Sequence, residues 1–241
     1  MRVEQFLGES ALRFGSRPAI VADNRSHTYA DLARNSDRIA AALMSRGVKR
    51  GDRVAFFMDN TFAAVVSAFA VLKAGAVVSP IDPASDADEL THTLDQTRAV
   101  GIVTDARHAS VGAVAMARAQ SIRLVLLCGG GRSTTSASCL SYEELVGGIG
   151  SGPSVARAGM GSDVAILLQD SFAELTHDDL ISAAADCASG KSVQSALSYS
   201  GFCQLLAAIR GGATLILEVP SAFRRANLDR GEAEMALALN G

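Results

Sequence analysis

Cys128–Thr134 combines glycine with basic and hydroxyl side chains, the residue types that bind phosphate in many proteins. The segment follows a predicted strand, and its successive backbone N–H groups and one arginine could hold an anion. A P-loop, however, requires the pattern G-x-x-x-x-G-K-[ST] at the start of a helix. Because no Gly-Lys follows these glycines, we interpret the segment as a surface loop.

Gly190-Lys191-Ser192 has the ending of a P-loop without its beginning. Ala185 occupies the position of the first glycine, and the segment follows a predicted helix rather than a strand. Gly147–Gly152 fits no dinucleotide-binding fingerprint, because no strand precedes it. We interpret both segments as turns, so the residues alone identify no catalytic or cofactor-binding side chain.

Metal-ligating side chains are widely spread along the chain. The cysteines and histidines form no CxxC or HxxxH pair, and they are Cys128, Cys139, Cys187, Cys203, His27, His92, His108 and His177. The sequence therefore predicts no metal site and four free thiols in a reducing cytoplasm.

Composition excludes several classes of protein. The chain has 241 residues, 49% of them hydrophobic and 5% aromatic, with a net charge of -3. It is long and apolar enough to bury a full core. Nucleic-acid binding uses a basic face or stacking aromatics, so we expect no nucleic-acid partner.

The apolar run 62–72 is too short to span a bilayer, and residues 1–10 lack the apolar region of a secretory signal. We expect a cytoplasmic protein with no membrane span.

Strands alternate with helices, and several strands are apolar on both faces. This pattern predicts an α/β fold with largely parallel sheets flanked by helices. Thr28 followed by Asp31 is typical of the capping box of a helix. We predict a first α/β subdomain over residues 1–130, a Gly/Ser-rich loop or linker over 131–161 and a partial second α/β subdomain over 162–241.

Several short segments share their order and spacing with one family of enzymes. They are Thr28–Leu32, Gly51–Val54, Ala70–Ala76, Pro80–Pro83, Val103–Asp105, Leu175–Leu180 and Gly212–Thr214. Together they resemble the N-terminal region of the adenylate-forming superfamily, which includes acyl- and aryl-CoA synthetases, adenylation domains of nonribosomal peptide synthetases and luciferases. The resemblance implies the N-terminal domain of that fold, in truncated form. It also implies an ATP-dependent ligase activity with Mg²⁺ and CoA.

The phosphate-binding loop of that family is missing here. The family pattern [ST]-[ST]-G-[ST]-T-G-x-P-K-G should follow the strand that ends near Leu168. Only the stretch Gln169–Glu174 lies between that strand and Leu175, and the Gly-Thr-Thr-Gly-x-Pro-Lys core of the motif, about seven residues, is absent. Asp170 and Glu174 also add negative charge where a triphosphate would lie. The aromatic-His pair of the family is absent from 198–201. We therefore expect neither catalytic residues nor binding of ATP, Mg²⁺ or CoA.

The resemblance nevertheless places four polar side chains near the ligand cleft of the family. They are Ser171, Thr176, His177 and Tyr199. In isolation, a histidine at a helix start favours a capping or packing role. We keep these four residues as predicted remnants of a ligand cleft.

Three hypotheses for function remain. The first is a pseudoenzyme that binds an acyl or aryl molecule, a carrier or a partner enzyme, as a homodimer or within a hetero-complex. The second is a subunit of a split or rebuilt acyl- or aryl-CoA ligase that adenylates a carboxylate. The third is a remnant without function.

Overall fold

The computed structural model describes residues 1–130, 138–148, 159–169, 171–187 and 192–218. These residues form eight helices and eleven strands. The helices are α1 (Val3–Phe14), α2 (Tyr29–Ser45), α3 (Phe62–Lys73), α4 (Ala87–Thr97), α5 (Ala109–Arg118), α6 (Tyr142–Gly147), α7 (His177–Asp186) and α8 (Tyr199–Gly211). The strands are β1 (Pro18–Ala22), β2 (Arg25–Thr28), β3 (Arg53–Phe57), β4 (Val77–Pro80), β5 (Gly101–Asp105), β6 (Leu124–Cys128), β7 (Ser138–Ser141), β8 (Val164–Leu167), β9 (Glu174–Thr176), β10 (Ser192–Val193) and β11 (Leu215–Leu217).

A seven-stranded sheet forms the centre of the molecule. Its order is β7-β6-β5-β3-β4-β8-β9, and every pair is parallel except the antiparallel pair β8–β9. The chain passes from β3 to β4 on one side and then returns to place β5 on the other side of β3. This reversal leaves a crevice beyond the carboxyl ends of the central strands.

A smaller sheet has the order β10-β11-β1-β2. Strand β1 pairs with β2 in antiparallel fashion and with β11 in parallel fashion. Both sheets therefore contain strands from both predicted subdomains, since β8 and β11 come from the later part of the chain. The predicted α/β fold with largely parallel sheets flanked by helices is confirmed.

Helix α3 is the most deeply buried helix of the structure. All its residues except Ala63 are buried, and it contacts both β4 and β1. A helix that is apolar around its whole circumference needs such neighbours on every side. On the opposite face of the large sheet a separate apolar cluster, including Phe57, Leu90 and Ala115, packs β3 against α4 and α5.

Helix α2 begins at the predicted capping box. The Thr28 hydroxyl oxygen accepts the Asp31 N–H, and an Asp31 carboxylate oxygen accepts the Thr28 N–H. Two N–H groups that the helix leaves without partners are thereby bound.

The predicted loop over 131–161 contains regular structure in its described part. Strand β7 pairs in parallel with β6, and α6 follows it directly. Pairing with β6 supplies hydrogen bonds that the local sequence does not reveal. Residues 131–137, 149–158 and 219–241 lie outside the described residues, as do Asp170 and 188–191, which include Gly190 and Lys191 of the GKS segment. Among the described residues, no helix combines the length and apolarity that crossing a membrane requires.

Candidate functional site

A cleft of about 300 Å³ opens at the carboxyl ends of β3 and β4. Three segments line it: the end of β3 with the residues that follow it, the end of β4 with the residues that follow it, and the stretch between β10 and α8. Its walls are formed by Phe56, Met58, Asp59, Asn60, Pro80, Ile81, Asp82, Pro83, Gln194, Ser195 and Leu197. The position agrees with the general rule that α/β sheets bind ligands beyond the carboxyl ends of their strands.

Asn60 holds the far wall of the cleft in place. Its Nδ2 donates to the Val193 carbonyl oxygen at 3.1 Å, and its Oδ1 accepts the Ala196 N–H at 2.9 Å. One side chain after β3 thus fixes a segment that lies more than a hundred positions later in the sequence. The cleft is therefore a built feature of the fold rather than a gap between loose loops.

A tight turn occupies the position where the resemblance places the phosphate loop. Strands β8 and β9 form an antiparallel pair, and the Leu168 N–H donates to the Ala173 carbonyl oxygen at 3.0 Å. Phe172 adopts a positive φ of 49° and leaves its ring partly exposed. Gln169 Oε1 accepts the Asp82 N–H at 2.9 Å, which ties the turn to the loop after β4.

Charged side chains accompany this turn. Arg53 and Glu174 form an ion pair of 3.1 Å in which both side chains are substantially exposed. Solvent screening limits such a pair to about 0–1 kcal/mol. The two residues, together with Phe172, border a shallow second cavity of about 440 Å³. Glu174 places a carboxylate close to the turn, which disfavours a nearby polyphosphate.

The first glycine of the predicted loop 128–134 has a partner within the chain. The Gly129 N–H donates to Glu143 Oε1 at 2.7 Å. An N–H that binds a carboxylate of its own chain is not free to bind an external anion. This contact agrees with the interpretation of the segment as a surface loop.

Three of the four predicted cleft remnants lie near solvent. Ser171 is exposed in the turn, and its hydroxyl oxygen faces the Ala173 N–H at 3.4 Å. Thr176 caps α7: its hydroxyl oxygen accepts the Asp179 N–H at 3.2 Å and its O–H donates to Asp179 Oδ2 at 2.7 Å. Tyr199 is 45% exposed at the start of α8.

His177 is 1% exposed in the interior. Its ring nitrogens lie 3.3 Å from the Arg2 Nε and from the Val3 backbone nitrogen. Burial, with the Arg2 guanidinium adding to it, lowers the pKa of His177 to about 4, so the ring is neutral at pH 7. A neutral imidazole has one acceptor nitrogen, so it accepts only one of these two hydrogen bonds. His177 therefore has the position of a packing residue.

The walls of the cleft described above include none of the four predicted remnants, which are Ser171, Thr176, His177 and Tyr199.

Lys73, in one of the segments that carry the resemblance, has a structural role in this chain. Its ammonium group donates to Asp37 Oδ1 at 2.8 Å and to the Ser36 hydroxyl oxygen at 2.9 Å. The side chain is buried, and these bonds join α3 to α2. A buried ammonium group with such partners stabilises the packing of the two helices.

Sequence reasoning missed most of the cleft residues. Pro80–Pro83 was noted only as part of the resemblance, and Met58–Asn60 was not singled out. A usable signal existed, because Met58–Asn60 directly follows one predicted buried strand and Pro80–Pro83 lies at the end of the next. The third wall, 194–197, carried no such signal.

Comparison with known proteins identifies the family. The model of the AMP-binding enzyme family matches residues 7–146, more than half of the chain, and the chain belongs to that family. This confirms the resemblance to adenylate-forming enzymes. The match ends before the turn at 169–174, so it does not include the position of the phosphate loop.

Curated relatives match over shorter stretches. The chain is 39% identical over 98 residues to the phosphinothricin tripeptide synthetase PhsC of Streptomyces viridochromogenes, covering 41% of this chain and 9% of that protein. It is 36% identical over 115 residues to a naringenin synthase of Pestalotiopsis fici, covering 47% of this chain and 4% of that protein. The chain thus spans less than a tenth of the length of these two relatives.

Solved structures share the fold over nearly the whole chain. The coronafacic acid ligase of Pectobacterium brasiliense superimposes with a TM-score of 0.84 at 17% identity, covering 94% of this chain and 47% of the ligase. MbtA of Mycobacterium smegmatis gives a TM-score of 0.76 at 26% identity, covering 96% of this chain and 46% of that protein. The chain therefore spans about half the length of both structures and has the fold of their corresponding parts.

Proposed function

We propose that this member of the AMP-binding family binds a small acyl or aryl molecule in the cleft beyond β3 and β4 and does not activate it with ATP. The observation that carries the proposal is the tight β8–β9 turn. It links the two strands where the family pattern requires a loop rich in glycine, serine and threonine with a lysine.

Phosphate binding in this family depends on donors and positive charge at that position. Here Gln169 bonds to Asp82, and the Glu174 carboxylate lies beside the turn. Electrostatic stabilisation of phosphates is usually the largest single contribution to such catalysis. Without those donors, the ground-state binding of ATP and the stabilisation of the transition state are both lost.

The cleft favours a mostly apolar ligand of small size. Phe56, Met58 and Ile81 present apolar surface, and the volume of about 300 Å³ lies at the lower end of small-molecule sites. Asp82 places a carboxylate on the wall, and Asp59 adds a second one that is paired with Arg107. These carboxylates favour a neutral polar group on the ligand, such as an amide or ester, over a free carboxylate.

An alternative is a subunit of a split or rebuilt acyl- or aryl-CoA ligase. It is favoured by family membership and by the cleft, because a second chain could supply the phosphate-binding groups. In that case the acyl or aryl molecule binds here as a carboxylate and is adenylated only in the complex.

We also propose that the protein associates with a second copy or with a partner protein. Several large apolar side chains are exposed, Leu12 at 90% and Met160 at 66% among them. Light scattering coupled to size exclusion tests this part of the proposal. A stable monomer at all concentrations, alone and with neighbouring gene products, contradicts it.

The binding proposal is tested by a thermal-shift screen of the purified chain. The probes are ATP with Mg²⁺, AMP, CoA, benzoate, octanoate and the amides of the two acids. We expect a raised unfolding midpoint with at least one acyl or aryl compound and none with ATP, because a ligand that binds the folded state stabilises it by mass action.

A matched pair of variants locates the binding. Leu197→Trp fills the cleft, whereas Leu12→Trp adds the same ring at an exposed position of α1. The shift should disappear in the first variant and persist in the second. A shift that survives in both places the ligand elsewhere. Carboxylate-dependent release of pyrophosphate from ATP overturns the non-catalytic proposal and supports a ligase.

A further inference from the structure

Three metal-ligating side chains converge on the side of β3 that faces β5. Asp59 follows β3, Asp105 ends β5 and His108 precedes α5, and one ligand atom from each lies within 4.8 Å of the others. Their side chains are only 19%, 15% and 11% exposed. Asp105 and His108 lie three positions apart, but Asp59 precedes Asp105 by 46 positions, so spacing alone did not reveal the cluster.

Asp105 fixes the orientation of the imidazole. Its Oδ1 lies 2.8 Å from His108 Nδ1 and also accepts the N–H groups of Arg107 and His108 at 3.0 Å each. A carboxylate at Nδ1 places the proton on that nitrogen and leaves Nε2 with a free lone pair. The edge-on contact of the ring with Phe57, 5.2 Å between centroids, further restricts the imidazole plane.

The free nitrogen faces a second carboxylate. His108 Nε2 lies 3.9 Å from Asp59 Oδ1. Two ligands of one tetrahedral zinc ion, each at about 2.1 Å, lie about 3.4 Å apart. The observed separation is therefore close to that of a shared metal ion, and closing it requires a side-chain shift of about half an ångström.

We propose that His108 Nε2 and Asp59 Oδ1 bind a divalent first-row transition cation, with Asp105 orienting the imidazole and water completing the coordination. A ligand set of one imidazole nitrogen and one carboxylate oxygen suits Zn²⁺, Co²⁺ or Mn²⁺, whereas Ca²⁺ prefers ligands that are all oxygen. A carboxylate that accepts the second N–H of a ligating histidine is the usual outer partner in such sites. The site does not rest on the proposed ligand of the cleft.

Arg107 provides a second test, in which a substitution should tighten metal binding rather than weaken it. Its guanidinium donates to the other carboxylate oxygen of Asp59, Oδ2, from a side chain that is 40% exposed. The positive charge weakens binding of a cation at Oδ1 without blocking it. Removing it should therefore tighten the site.

Titration of the purified chain with Co²⁺, followed by its visible absorption, tests the site. We expect saturable binding of one equivalent. His108→Gln and Asp59→Asn should each weaken it by about tenfold or more, and Arg107→Ala should tighten it about two- to fivefold. His92→Gln and Asp88→Asn, which change exposed residues of α4, are the matched controls and should bind like the wild type.

Two outcomes overturn the proposal: no saturable binding by the wild type, or equal binding by His108→Gln. A thiolate-to-cobalt charge-transfer band would assign the ion to a cysteine instead. If a variant fails to fold, the location of the ion is determined instead in the wild type, from paramagnetic broadening of its amide signals. Bound Co²⁺ should broaden the amide signals of Arg107 and His108 and leave that of His92 sharp, and broadening confined to other residues rejects the site.

Discussion

The backbone N–H of Asp82 donates a hydrogen bond of 2.9 Å to the side-chain oxygen of Gln169. This bond connects the loop after β4, which lines the cleft, to the turn that stands in place of a phosphate loop. The two structural features on which the proposed function depends are therefore physically joined.

Gln169→Ala removes that connection. Both groups are near solvent, so water replaces the lost partner and global stability should fall by only about 0.5 kcal/mol. The local effect is easier to detect. The Asp82 amide loses its acceptor, so its hydrogen exchange should accelerate about two- to fivefold. Gln96→Ala, an exposed change on α4, is the control and should leave that amide unaffected. Equal exchange rates at Asp82 in wild type and Gln169→Ala would contradict the bond.

Gly201→Ala should disturb the wall of the cleft. A Cβ atom at Gly201 would lie 1.8 Å from the Ser195 carbonyl oxygen, a backbone atom of the segment that lines the cleft. The segment must move, at a cost of about 1–3 kcal/mol in the free energy of unfolding, measured by urea denaturation. Binding of any cleft ligand should weaken in parallel.

Gly8→Ala is the matched control for that substitution. Gly8 lies in α1, and no atom lies within 4 Å of a Cβ added there. Alanine should therefore stabilise the helix by about 0.5–1 kcal/mol. A Gly201→Ala variant as stable as the wild type would show that the 194–197 segment adapts freely.

Tyr29→Phe should cost about 1–2 kcal/mol of stability. The buried Tyr29 hydroxyl donates to the Ala213 carbonyl oxygen at 2.7 Å, joining the start of α2 to the segment between α8 and β11. Burial raises the pKa of Tyr29 to about 12, so the hydroxyl keeps its proton at all ordinary pH values. Phenylalanine leaves the carbonyl without this donor. Chemical denaturation measures the loss, and Tyr199→Phe, at an exposed ring, should stay within about 0.5 kcal/mol of the wild type.

Acid should destabilise the protein through His177. Its pKa in the folded state, about 4, lies below the ordinary value of 6.5. As the pH falls below 6.5, the histidine is protonated in the unfolded chain but not in the folded state. The free energy of unfolding therefore decreases until the pH reaches about 4. Between pH 7 and pH 5 this linkage amounts to about 2 kcal/mol.

The comparison of wild type with His177→Gln isolates that contribution. Burial raises the pKa of the neighbouring Glu4, which opposes the trend, but Glu4 is present in both proteins. The stability difference between wild type and variant should therefore shrink by about 2 kcal/mol from pH 7 to pH 5. A constant difference across that range would mean that His177 titrates normally in the folded state.

The sequence predicts correctly a feature that depends on residues close together in the chain. It does not predict strands whose conformation depends on pairing with another strand. The Thr28–Asp31 capping box involves residues three positions apart, so its outcome depends on the local chain. Strand β7 was predicted as loop because its stability comes from pairing with β6. Strand β2 is short and polar, and pairing with β1 determines its conformation. Propensity carries little information where a neighbouring strand supplies the hydrogen bonds.

The candidate site illustrates the same limit. The sequence between Leu168 and Leu175 lacks the phosphate-loop motif of the family, which can be read without the structure. The location of the cleft was not, because Asn60 brings in residues 193–196 from a distant part of the chain. The four predicted remnants Ser171, Thr176, His177 and Tyr199 remain predictions without a contact to the cleft. The resemblance placed them by motif order, whereas burial and helix capping determine where their side chains point.

The parallel pairing of β1 with β11 has a consequence for synthesis on the ribosome. Ile20 pairs with Leu215, so β1 can pair with β11 only after nearly all of the described residues have been synthesised. Until then the β1–β2 hairpin packs against α2 and α3, and it exposes the edge of β1 that later pairs with β11. Completion of the small sheet, and with it the cleft wall at 194–197, therefore comes late in synthesis.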